Sequence, residues 1–195
     1  MADLEIEKQY GDVIIAGVDE AGRGSLAGPV VAAAVIVDQQ NIITDIRDSK
    51  KIPKKKREEL YDKITINYLW SVGIVSPNEI DEMNILEATK QACKIAVYSM
   101  DTRAELVLVD GNMRFDDKCF HSIIKGDDKS MSIAAASIVA KVIRDRIMEE
   151  LSQEFSVYEW HKNSGYGTKG HINAMLQYGY TMHHRRSFKV KGVNY

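Results

Sequence analysis

Cysteine is scarce in this chain. Of 195 residues, only Cys93 and Cys119 carry thiols. Two thiols this far apart cannot staple a small scaffold or form a zinc knuckle, so both are expected as buried thiols in a reducing compartment. Long apolar runs are also missing. The longest, Val30 to Val37, is far too short to cross a bilayer, and no apolar segment marks the N-terminus. A cytoplasmic protein without membrane contact is therefore expected. Excess charge of one sign is lacking: 26 Lys and Arg nearly balance 28 Asp and Glu, for a net charge of -2, which argues against an indiscriminate polyanion binder. No repeat, low-complexity tract or linker interrupts the chain. With 45% hydrophobic residues, it can bury one sizeable core, so residues 1–195 are expected to form a single domain and a monomer.

What is present alternates between strand and helix patterns. Runs rich in Val, Ile or aromatics predict strands at Val13–Asp19, Val30–Val37, Leu69–Val75, Leu106–Asp110 and Phe120–Ile124. Gly28-Pro29 signals a turn, so the first two should pair as a hairpin. Helices are predicted over Lys54–Ile64, Ile85–Met100, Ser132–Leu151 and Lys169–Tyr178, the last forming a C-terminal helical segment. This order predicts an α/β domain, a mixed central sheet flanked by helices.

The segment V-I-I-A-G-V-D-E-A-G-R-G, Val13 to Gly24, carries the chemistry. An apolar strand ends on two adjacent carboxylates, Asp19 and Glu20, followed by an arginine between glycines. Neighbouring strand residues point to opposite faces, so the pair can share one site only if the strand stops or bends between them, a freedom that Gly22 and Gly24 are expected to supply. Asp110 closes another strand just before Gly111, and Asp127 follows a strand behind Gly126. A lone aspartate at a strand end is ordinarily a turn former or cap. Four acids at strand ends would repel one another unless a cation held them, which favours a divalent-metal site for phosphate chemistry.

G-R-G-S-L-A also fits a dinucleotide fingerprint, but Gly28-Pro29 leads into a strand rather than a helix, and Asp19 and Glu20 would repel a bare pyrophosphate. Two basic clusters, Lys50-Lys51 with Lys54 to Arg57 and His183 to Arg186 with Lys189 and Lys191, are either solvated faces or phosphate contacts. Lys54, Lys55 and Lys56 oppose the dipole of the helix they open, which favours the second reading for them. Tyr166, between two glycines, presents a ring suited to stacking on a base or sugar. The five histidines show no metal-ligand spacing and are expected to be structural.

The motifs V-D-E-A-G-R-G (Val18–Gly24), D-S-K-K (Asp48–Lys51), K-K-R-E-E-L-Y (Lys55–Tyr61), N-I-L-E-A-T (Asn84–Thr89), V-D-G-N (Val109–Asn112), K-G-D-D-K-S running to Asp145, S-G-Y-G-T (Ser164–Thr168) and H-R-R-S-F (His184–Phe188) follow one another in order. Together they resemble the bacterial ribonuclease HII family. The resemblance implies a ribonuclease H-like fold and the carboxylate set Asp19, Glu20, Asp110 and Asp127, with Asp128 in a variable position. Asp19 would be the bridging ligand of two Mg²⁺ or Mn²⁺ ions about 4 Å apart. It also implies substrate binding by Gly22, Arg23, Gly24, Ser49, Lys50 and Tyr166. The glycine loop would read a ribose 2′-hydroxyl, and Tyr166 would pack at the next sugar. The implied partners are RNA–DNA hybrids and duplex DNA containing single ribonucleotides, cut to 5′-phosphate and 3′-hydroxyl ends. No clamp-binding tail is evident after H-R-R-S-F. A catalytically silent hybrid binder would keep the basic residues and lose carboxylates, and all four are present.

Overall fold

The structure, a computed structural model, describes residues 2–46 and 48–193. Five strands, β1 (Ile15–Ala21), β2 (Val30–Ile36), β3 (Leu69–Val75), β4 (Leu106–Asp110) and β5 (Phe120–Ile123), form one mixed sheet in the order β3-β2-β1-β4-β5. β1, β2 and β3 make an antiparallel meander, whereas β4 and β5 run parallel to β1. The carboxyl ends of β1, β4 and β5 therefore lie at one edge, where open α/β sheets place ligand-binding groups.

The helices are α1 (Glu5–Lys8), α2 (Lys54–Asn67), α3 (Pro77–Met83), α4 (Ile85–Tyr98), α5 (Met131–Glu154), α6 (Trp160–Asn163) and α7 (Lys169–Tyr178). α5 covers one sheet face with α2 against its flank, and α4 covers the other. Its first ten residues are all buried, so this part of α5 is apolar or small all round, as expected of a helix embedded in a core. A Cβ on Gly17 would sit 2.1 Å from the Ser132 carbonyl carbon, so only glycine lets β1 and α5 approach this closely. Buried Glu7 of α1 accepts from the Ser130 hydroxyl at 2.6 Å and the Ser132 amide at 3.0 Å, placing an anion at the N-terminus of α5. α6, α7 and the chain to Val193 pack a smaller cluster around Trp160 and Met148.

Several sequence expectations need correction. β1 does not stop or bend at Asp19. Glu20 and Ala21 continue its pairing with Ala32 and Val31, and the strand ends at Ala21, just before Gly22, whose φ of +95° is left-handed. Asp19 thus faces α5 while Glu20 points to the opposite, α4 face with Ala16 and Val18. α3 was not anticipated. It is set by a capping box between Ser76 and Glu79 with Pro77 in the first turn, and Asn84 at φ +77° separates it from α4. Cys93 is buried, but Cys119 is only partly so. Among the described residues, no helix is long and apolar enough to cross a membrane.

Candidate active site

Three aspartates meet at the edge formed by the parallel strands. The register of β1 with β4, Val18 opposite Val109, brings Asp19 level with Asp110. Asp127 arrives on a one-turn 3-10 helix, Gly126–Asp128, entered through Lys125 at φ +56°. One carboxylate oxygen from each lies within 4.8 Å of the other two. The Gly126 N–H donates to Asp110 Oδ1 at 2.7 Å, and the Glu20 N–H donates to Asp19 Oδ1 at 2.7 Å, so backbone amides orient both side chains.

Asp19 and Asp127 are 4% and 8% exposed. Burial, then the charges of Glu20 and Asp110, raise the Asp19 pKa well above the ordinary carboxylate value. Burial and Asp110 raise Asp127 in the same direction. Glu20 lies outside the trio. Its Oε1 faces Arg23 Nη1 at 3.4 Å, and burial outweighs this contact, raising its pKa. Its Oε2 is buried without a hydrogen-bond partner. Such an orphaned oxygen beside three crowded carboxylates fits a site for divalent cations, which would supply the missing positive charge. Asp128, half-buried, turns away to pair with Lys51.

Beside the trio, a cleft of about 460 Å³ is lined by Asp19, Glu20, Ala21, Gly22, Arg23, Gly24, Ser49, Lys50, Ser137, Lys141 and Tyr166. All six residues expected to bind substrate line it. Ser49 and Lys50 sit in a 3-10 turn capped by Asp48, with the Ser49 amide donating to Ser137 Oγ at 3.2 Å. Burial lowers the Lys50 pKa, but the facing carboxylates of Asp19, Asp48, Asp127 and Asp110 outweigh it and the net shift is upward. The Tyr166 ring, 40% exposed, stands where a Cβ on Gly24 would be 4.0 Å from it.

Sequence reasoning missed the groups that hold this cleft. Arg144, fully buried on α5, donates from Nε to the Pro29 carbonyl at 3.0 Å, from Nη1 to Ser164 at 2.9 Å, and from Nη2 to Ser25 Oγ at 2.7 Å and Ala27 at 3.1 Å. A Cβ on Gly22 would overlap the same guanidinium, 1.9 Å from Nε. Arg185, also fully buried, donates to the Gly28 and Arg23 carbonyls. The segment from residue 22 to 29 is therefore pinned from beneath by two arginines. Lys141, one helical turn before Arg144 on α5, pairs with Asp145 at 2.7 Å, and Asp145 also faces Arg57. The spacing Ser137, Lys141, Arg144 on a helix with an otherwise apolar start was the available signal.

The two basic clusters are largely not open patches. Lys54 pairs with Glu149, Lys56 with Asp45 and Glu59, and Lys51 with Asp128. Arg57, His184 and Arg185 are buried.

A mixed sheet of this order, with an aspartate trio at the ends of its parallel strands and a glycine-bounded arginine loop beside them, defines a metal-dependent nuclease of ribonuclease H-like fold. A family model described as Ribonuclease HII matches residues 16–191, and the chain belongs to that family. It is 65% identical over 185 residues to a ribonuclease HII of Rickettsia bellii, covering 95% of this chain and 94% of that protein. Among solved structures it is similar to the ribonuclease H2 of Pyrococcus horikoshii, with a TM-score of 0.73 and 31% identity over 90% of this chain and 93% of that one. It is also similar to the ribonuclease HII of Archaeoglobus fulgidus solved in a complex with PCNA, with a TM-score of 0.75 and 28% identity over 92% and 96%. The chain is thus an enzyme, a type 2 ribonuclease H of a divalent-metal-dependent family whose substrates are RNA–DNA hybrids.

Proposed function

We propose that this enzyme cuts the RNA strand of hybrids and also incises duplex DNA on the 5′ side of a single embedded ribonucleotide. A bond forms between a water oxygen and phosphorus while the bond from phosphorus to the 3′-oxygen breaks, leaving 5′-phosphate and 3′-hydroxyl ends. The observation that carries this reading is the cleft itself. The loop Gly22-Arg23-Gly24 and the Tyr166 ring face each other beside the aspartate trio, so one ribose can be read next to the phosphate that is cut. A 2′-hydroxyl contact at one position separates RNA from DNA there.

Asp19, Asp110 and Asp127 would hold the divalent ions, Mg²⁺ or Mn²⁺, and Glu20 would join them from the other strand face, since Asp19 and Glu20 line the same cleft at the strand's end. When bound, the ions would activate the attacking water and stabilise the leaving oxygen, the two-metal arrangement. The chain's own groups do the rest. Gly126 and Glu20 amides keep the Asp110 and Asp19 oxygens aimed into the site. Arg23 and Lys50 offer cations to the phosphates on either side. Arg144 and Arg185 prevent the loop from moving when substrate enters.

The test is a duplex of DNA with one ribonucleotide, end-labelled and incubated with Mg²⁺ or Mn²⁺, with EDTA as control. The expected product carries the ribonucleotide at its 5′ end. An enzyme that cuts continuous hybrid and ignores this duplex in both metals contradicts the proposal.

A further inference from the structure

The C-terminal segment buries two imidazoles that the chemistry above does not use. His171 in the first turn of α7 is 0% exposed and His184 is 1% exposed. The Trp160 indole N–H donates to His171 Nε2 at 3.0 Å, and the Thr181 amide donates to His184 Nδ1 at 2.9 Å. An indole nitrogen and a backbone amide only donate, so both accepting ring nitrogens are bare. That assigns the remaining protons. His184 carries its proton on Nε2, 3.2 Å from His171 Nε2, and His171 carries its own on Nδ1, 3.0 Å from the Tyr166 carbonyl oxygen. Burial lowers the pKa of both rings, so they stay neutral at neutral pH.

We infer that His171 is a positioning residue for ribonucleotide recognition: its Nδ1–H, locked by Trp160 and His184, holds the Tyr166 carbonyl and thereby the Tyr166 ring in the cleft. The need for such a hold follows from the local chain. Tyr166 stands between Gly165, at φ +77°, and Gly167, so its neighbours in sequence contribute no side chains to fix it. Its ring is partly exposed, with the Arg144 guanidinium 5.6 Å from the ring centre. The Thr168 amide, 2.7 Å from the same carbonyl, shapes the turn from within the glycine segment, whereas His171 ties that carbonyl to a buried aromatic cluster. Fixing the ring before substrate arrives lowers the ordering cost of binding a single sugar. A continuous hybrid, offering further 2′-hydroxyl contacts, depends on it less.

The inference rests on the proposed reading of Tyr166, and one set of measurements separates the two. Catalytic efficiency on the single-ribonucleotide duplex is divided by that on a continuous hybrid for wild type, Tyr166→Ala, His171→Phe and His171→Asn. Phe keeps the ring and removes both nitrogens, while the Asn amide restores a donor near the Nδ1 position. His171→Phe is expected to lower the ratio about tenfold, the scale of one well-placed hydrogen bond, and His171→Asn to stay within about threefold of wild type. Nitrogen-15 spectra of the wild-type protein are expected to show the His171 proton on Nδ1. A ratio unchanged in His171→Phe but lost in Tyr166→Ala overturns the inference and leaves the Tyr166 reading standing. A ratio unchanged in Tyr166→Ala overturns both. If His171→Phe does not fold, a wild-type proton found on Nε2 still overturns the positioning role.

Discussion

At the scale of single residues, the aspartate trio sets function against stability. Loss of groups that merely support metal ligands costs about 10–100-fold. Loss of a carboxylate that holds the ion should cost more, so Asp19→Asn and Asp110→Asn are expected to cut turnover by over about a hundredfold. Their metal-free melting points should match or exceed that of wild type. The pH dependence follows from the raised pKa of Asp19. The folded protein binds this proton more tightly than the unfolded chain does, so the ionised side chain costs stability as pH rises through the raised value. The thermal advantage of Asp19→Asn should be largest near pH 8 and close as pH falls towards the ordinary carboxylate range, about 4. Scanning calorimetry across that range checks it. Asp127 and Asp128 supply a second contrast. Asp127→Asn should be inactive, whereas Asp128→Asn, which only frees Lys51, should cleave nearly as wild type. Equal losses in a cleavage assay would reassign the fourth acid.

At the scale of elements, α5 does more than cover the sheet. Through Arg144 it fastens the segment from residue 22 to 29 and the turn before Tyr166. Arg144→Met would leave several buried carbonyls unpaired, at about 3–5 kcal/mol. At about 2–4 °C per kcal/mol for a chain of this size, the melting point should drop by roughly 10 °C. A drop of only a degree or two would mean the carbonyls find other donors. The histidines of the C-terminal segment make a separate prediction. Burial, with neighbouring His171 and His183, lowers the His184 pKa to about 3. Its contribution to stability is complete above its unfolded pKa, near 6.5, and is lost as pH falls towards 3, because the unfolded chain takes the proton first. The melting point should therefore fall between pH 6.5 and 5, and fall less in His184→Asn. Identical slopes would place the acid sensitivity elsewhere.

What could be read from the chain beforehand divides along the same line. β3, β4 and α7 have the predicted bounds, because their patterns sit between unambiguous turn signals. β1 was displaced by two residues, since a charged pair looks like a strand end when its antiparallel partner in β2 is unknown. The meeting of Asp19, Asp110 and Asp127 was legible because carboxylates at strand ends are chemically conspicuous. That Glu20 points to the α4 face was not. Nor was the burial of Arg57, Arg144 and Arg185: a guanidinium in a sequence reads as solvent-facing, and only the folded loop shows the carbonyls that satisfy it.

At the scale of the molecule, distant parts of the chain converge on one edge of the sheet. The carboxyl ends of β1, β4 and β5 bring the three aspartates, α5 brings Ser137 and Lys141, and the C-terminal segment brings Tyr166. The core on both sheet faces holds these strands in register, so the crowded acids persist despite their mutual repulsion. If Asp19, Asp110 and Asp127 make one centre for divalent ions, the ions should bind there in the absence of substrate. Mn²⁺ binding, measured by calorimetry without nucleic acid on wild type, Asp127→Asn and Asp128→Asn, tests it most directly. Binding should be present in wild type and Asp128→Asn and lost or severely weakened in Asp127→Asn. Undiminished binding in Asp127→Asn, or loss in Asp128→Asn alone, would contradict it.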